Sequence, residues 1–89
     1  MMIDKKCYVQ NRKYEFMILG KYTVLFKDNM DKLHILNETA SEIFNLFHDK
    51  NTVDNVIELL TNRYAGENIN SDIIISIERL IELGLIVCC

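Results

Sequence analysis

The groups able to do chemistry in this 89-residue chain are few and scattered: two imidazoles, His34 and His48, and three thiols, Cys7, Cys88 and Cys89. A hydrolytic triad needs a histidine beside a nucleophile and an orienting acid. His34 instead stands between Leu33 and Ile35 in a short apolar run. His48 closes a helical pattern, where a cation complements the helix dipole. Structural zinc asks for paired Cys-x-x-Cys or His ligands, and Cys7 lies far from the Cys88-Cys89 pair. Glu38, Glu42 and Glu58 fall on different turns with no matched acid or base. No Gly-rich phosphate loop, Gly-x-Ser-x-Gly or His-Glu-x-x-His occurs. The expectation is a chain that is not an enzyme, with no catalytic residue, no cofactor and no metal site. The cysteines read as reduced thiols that carry no assigned role.

Size and charge narrow the field further. Eighty-nine residues make one domain, 1–89, and a domain this small has few side chains left for an enclosed cavity. Apolar residues at 49% and charged residues at 26% describe a folded chain. The net charge is −3 and no stretch gathers Lys and Arg, so nucleic acid and anionic membrane are poor partners. Met1-Met2-Ile3-Asp4-Lys5-Lys6 has no secretory pattern, and no apolar run approaches a bilayer span. The expected location is the cytoplasm.

The elements that would position a site follow from periodicity. Tyr14–Leu19 and Tyr22–Lys27 read as strands joined by Gly20-Lys21, a two-residue hairpin turn. Asp28–Asp31 is a polar turn, and Lys32–Leu36 a third strand. Three strands joined by tight turns form a meander, which leaves the third at an edge. From Asn37 the period lengthens. Thr39-Ala40-Ser41-Glu42 has the spacing of a capping box, and Ala40, Ile43, Phe44 and Phe47 make one helical face. Thr52 caps a second helix whose stripe is Val53, Val56, Ile57, Leu60 and Tyr64, with Gly66 past its end. Asn70 or Ser71 starts a third, with Ile69 as a possible staple to Ile74, and Ile73, Ile77, Leu80 and Ile81 facing the core. Gly84 ends it, and Leu85-Ile86-Val87 is a short extended tail. The fold class is α+β and winged-helix-like: a three-stranded antiparallel meander, then a three-helix bundle.

A helix-turn-helix arrangement raises DNA binding. The second helix offers only Arg63 and the third only Arg79, against Asp54, Glu58, Asp72, Glu78 and Glu82. That surface repels a polyanion. Two other features suit a peptide. The edge strand Lys32–Leu36 presents a row of unpaired backbone groups. The third helix carries apolar side chains beyond one buried stripe, with Ile75 roughly opposite the core face and Leu83 to one flank. A homo-oligomeric structural domain is the remaining alternative.

Leu36-Asn37-Glu38-Thr39-Ala40, then Ile43-Phe44, Thr52-Val53 opening a helix and Gly84-Leu85-Ile86 at the close form a pattern that resembles the PqqD family. Its members are also called RiPP recognition elements, and the resemblance covers roughly 14–87. It implies a peptide-binding domain that takes the leader of a ribosomally made precursor peptide as an added strand beside the third strand, against the third helix. Such a carrier presents the precursor to a modifying enzyme of natural-product biosynthesis, either a radical S-adenosylmethionine enzyme or a leader peptidase. Carried onto this sequence, the strand contacts are Lys32, Leu33, His34, Ile35 and Leu36, and the helix contacts Ile75, Ser76, Arg79, Leu80 and Leu83. The family often has apolar residues where Ser76 and His34 stand. The resemblance leaves open the leader sequence and whether the protein is a monomer or a homodimer.

Overall fold

A glycine turn opens the first sheet. In a computed structural model, which describes residues 7–27, 33–65 and 70–89, Gly20 has φ +62°, a left-handed conformation that suits a two-residue hairpin. It joins β2 (Glu15–Leu19) to β3 (Tyr22–Phe26), and β3 pairs in turn with β4 (Leu33–Leu36). The strand order is β2-β3-β4 and both pairings are antiparallel, as the meander requires. The turn at 28–31, Lys32, the Gly66 cap and the Ile69 staple lie outside the described residues.

The inner face of this sheet carries Thr23, Leu25 and Leu36, all buried. Against it packs α1 (Glu38–Leu46), followed by α2 (Val53–Arg63) and α3 (Asn70–Glu82). Ile43, Phe44, Phe47, Val56, Leu60, Ile73, Ile77 and Leu80 join Leu25 in one core, the stripes that helical spacing selects. Leu85 and Ile86 close it from below. Gly84, at φ +75°, lets the end of α3 turn back: its N–H bonds Ile81 O and the N–H of Leu85 bonds Leu80 O, a Schellman closure.

The cap of α1 differs from expectation. Asn37, not Thr39, is the N-cap, accepting from the Ala40 N–H at 2.9 Å. Asn37 leaves β4 still extended (φ −70°, ψ −178°), the geometry an N-cap needs, whereas Thr39 is already inside the helix. Glu42 therefore does not reach back to close a capping box. It accepts from Arg63 and, at 2.6 Å, from the Tyr64 hydroxyl. That hydrogen bond, with burial and the carboxylate's charge, raises the Tyr64 pKa above the ordinary phenol value. Thr52 does cap α2, through the Asn55 N–H at 3.1 Å.

A second sheet lies outside the meander-plus-helices scheme. β1 (Cys7–Gln10) is its middle strand, between β5 (Asn51–Thr52) and β6 (Ile86–Cys88), both antiparallel to it. The segment read as an extended tail is thus a paired strand. β1 also ties down helix ends. Gln10, 2% exposed, donates its side chain to Phe44 O in the last turn of α1, and Asn11 donates to Gly84 O just past α3. All three cysteines are free and exposed.

Candidate functional site

Register and turn geometry together fix which backbone groups of the sheet are unpaired. A two-residue turn is closed by a hydrogen-bonded pair, here Leu19 and Tyr22. Antiparallel bonding then alternates, so Tyr22, Val24 and Phe26 bond to β2 while Thr23 and Leu25 bond to β4. Their partners are Leu36 and His34. The N–H and C=O groups of Leu33 and Ile35 are left pointing away from the sheet. β4 therefore has a free edge of two residues and four hydrogen-bonding groups.

That edge does not face open solvent on both sides. On the inner side, α3 runs beside it and the two enclose an open groove of about 340 Å³. Leu33, His34, Ile35 and Leu36 form one wall, Ile75, Ser76, Arg79, Leu80 and Leu83 the other, and Asn37 and Ala40 the end. Nine of the ten residues proposed from sequence thus line one cavity, and the tenth, Lys32, lies outside the described residues. Asn37 lines the groove as well as capping α1. Ala40 was read as a core position, although its place one helical turn after Asn37 was the available signal. Ile75 is 61% exposed, in keeping with its place off the core stripe.

The groove mixes apolar side chains with polar ones and carries one fixed charge. Leu80 is buried at its base, Leu83 is half-buried and Ile35 is 68% exposed. Arg79 is the only residue with a permanent charge among the described lining residues, none of which is a carboxylate. The ring of His34 stands edge-on to Tyr14 at 5.8 Å between centroids, and Lys27 lies 4.8 Å over the other partner of that contact, the Tyr14 ring. His34 is therefore held by an aromatic neighbour. Among the described residues no cluster of three His, Cys, Asp or Glu is placed to hold a metal, and no helix is long and apolar enough to cross a membrane.

Comparison with known proteins sets this geometry in a family context. The family model described as coenzyme PQQ synthesis protein D (PqqD) matches residues 22–86, from β3 through the groove to β6. No curated protein matches the chain in sequence. Among the solved structures that share the fold are two of note. One is TbiB1 in complex with the TbiA(beta) leader peptide, with a TM-score of 0.70 at 12% identity over 88% of this chain and 93% of that one. The other is a heterocyclase in complex with substrate and cofactor, with a TM-score of 0.68 at 20% identity over 94% of this chain. This chain spans only 11% of the heterocyclase, so the likeness there is to one small part of a much larger protein.

Proposed function

Since the chain belongs to the PqqD family, we propose that it is a non-catalytic, single-domain carrier that binds the leader of a ribosomally made precursor peptide. The leader adds as a fourth strand beside β4, in the groove against α3, and the carrier presents the precursor to a modifying enzyme. A radical S-adenosylmethionine enzyme or a leader peptidase would fit that role, and the cytoplasm is where such a precursor is made. The observation that carries the reading is the coincidence of an unpaired strand edge with a partly apolar groove bearing one arginine. The leader peptide bound by TbiB1, a protein of the same fold, supports it.

The mechanism follows from the register. A strand added to β4 bonds to the outward groups of Leu33 and Ile35. Its residues opposite His34 and Leu36 then point to the inner face, into the groove against Leu80 and Leu83. Its other residues lie on the outer face beside Leu33 and Ile35. Main-chain bonds give affinity and every second side chain gives selectivity. Four backbone bonds at about 1 kcal/mol each and two or three apolar side chains at about 2 kcal/mol each give roughly 10 kcal/mol before ordering costs. Fixing a flexible leader takes back several kcal/mol. Dissociation constants from about ten to a few hundred micromolar follow, which lets the carrier release its cargo.

The test is a titration of the protein with a labelled leader from a precursor peptide encoded beside it. The proposal expects saturable binding, with isotope-edited NMR placing the largest amide shifts on Leu33, Ile35 and the α3 wall. Absence of binding, or shifts confined to another face, would refute it.

A further inference from the structure

The opposite edge of the same sheet has an unusual composition for a solvent-exposed strand. All five residues of β2 are exposed, and four of them are Phe16, Met17, Ile18 and Leu19. An antiparallel strand with one wet face alternates apolar with polar residues, and a continuous apolar run belongs to a strand covered on both faces. Phe16 and Ile18 lie on the inner face, opposite Leu25 and Thr23, while Met17 and Leu19 lie on the outer face, opposite Val24 and Tyr22. Phe16 reaches Phe44 edge-on at 5.5 Å yet stays 39% exposed, and Ile18 is 55% exposed. Phe44 thus covers part of the inner side, while Met17 and Leu19 on the outer side are 52% and 54% exposed. Of the devices that normally protect an edge, β2 has only the charge of Glu15 at its start: Phe16–Leu19 contains no proline and no charge, and its pairing with β3 runs without a bulge.

We propose that β2 is the interface through which two copies of this chain pair, edge to edge about a two-fold axis at Met17. The register argues for a second copy. The same alternation that frees Leu33 and Ile35 on β4 frees the backbone groups of Phe16 and Ile18 on β2. In an antiparallel β2–β2 pair centred on Met17, Phe16 of one copy stands opposite Ile18 of the other. Those are the residues whose N–H and C=O groups are unpaired, so all four outward groups on each copy find partners. The inner face gains a Phe16–Ile18 contact on each side of the axis, and the outer face a Met17–Met17 contact at its centre. The strand is its own complement, as a closed two-fold interface requires.

The area fits a modest dimer. Phe16, Met17, Ile18 and Leu19 are each 39–55% exposed, which corresponds to roughly 100 Å² apiece for side chains of this size. Pairing the edges would remove at most on the order of 400 Å² per copy, about half the ~800 Å² of a standard interface. The result is a weak dimer that forms toward the high end of the micromolar range and dissociates on dilution. Its sheet has six strands in the order β4-β3-β2-β2-β3-β4, with both β4 edges on the outside.

Sedimentation of the reduced protein, from low to high micromolar, tests the interface. The wild type should pass from monomer to dimer. Met17→Lys and Met17→Glu change an exposed side chain and should leave the circular dichroism spectrum unchanged. Each sets like charges against each other at the axis and should weaken dimerisation at least about tenfold. An equimolar mixture of the two variants should recover the dimer as a mixed species. A wild type that stays monomeric throughout, a dimer that survives both single variants, or a mixture that fails to associate each overturns the proposal.

Discussion

β2 and β4 bound the same three-stranded sheet, each with two residues of unpaired backbone and each rich in large apolar side chains. Their surroundings differ. β4 has α3 alongside, and Leu80, Leu83 and Arg79 turn its edge into a groove. β2 has no such apolar wall: the inner side of its hairpin opens toward Glu38 and Glu42. Both acids are already engaged, Glu38 with Lys21 at 3.7 Å and Glu42 with Arg63 and Tyr64. An edge alone supplies hydrogen bonds to any strand. A wall beside it decides which side chains that strand carries. On this reasoning β4 suits a foreign peptide with a preferred sequence, and β2 a strand like itself.

The sharpest way to break that comparison is to place proline at equivalent outward positions. Ile35→Pro removes an outward N–H and leaves a leader carbonyl without its partner. It should weaken leader binding by about 2–3 kcal/mol with the circular dichroism spectrum retained. Ile18→Pro, at the matching site on β2, should leave leader affinity unchanged in the same titration. Equal losses in the two variants would erase the distinction between the edges.

The α3 wall gives smaller effects. Leu83→Ala should cost about 1–3 kcal/mol of leader affinity, measured by calorimetry on protein whose melting temperature is checked. Leu80→Ala is a poorer probe, because Leu80 is also core. Arg79→Ala should cost at most about 1 kcal/mol, for an ion pair at an open rim. Only that contribution should fade as salt is raised. A salt-independent Arg79 effect would mean that its role is packing. Asn37→Ala should lower global stability by about 0.5–2 kcal/mol, read from denaturant melts, because the groove's end residue is also the cap of α1.

The meander and the three helices were legible in the sequence for physical reasons, and the groove walls through the family resemblance. Strand and helix periods differ sharply on either side of Asn37, and the Gly20 and Gly84 turns are local signals. The cap was misplaced because Asn37 and Thr39 are both capping residue types. Only the extended exit from β4 decides between them. The β5-β1-β6 sheet was missed because Cys-Tyr-Val-Gln is short and its partners come from residues 51–52 and 86–88. No local pattern announces so distant a pairing. Both edges of the meander were open to the same sequence argument. The wall that distinguishes them is a tertiary fact, supplied by α3 some forty residues after β4.

The position of β1 between strands made much later has a consequence in time. A chain emerging from the ribosome, amino terminus first, has β2, β3, β4 and α1 available early, joined by short turns. Contacts that close long loops bear a larger entropy cost and form slowly, and β1 cannot pair with β6 until residues 86–88 have been synthesised. Until α3 follows, the nascent sheet has two bare edges and no wall beside either. The interval between synthesis of Leu36 and of Leu83 is therefore when this protein is most exposed to mispairing with another chain, and when a chaperone that shields apolar strands would matter most to its yield.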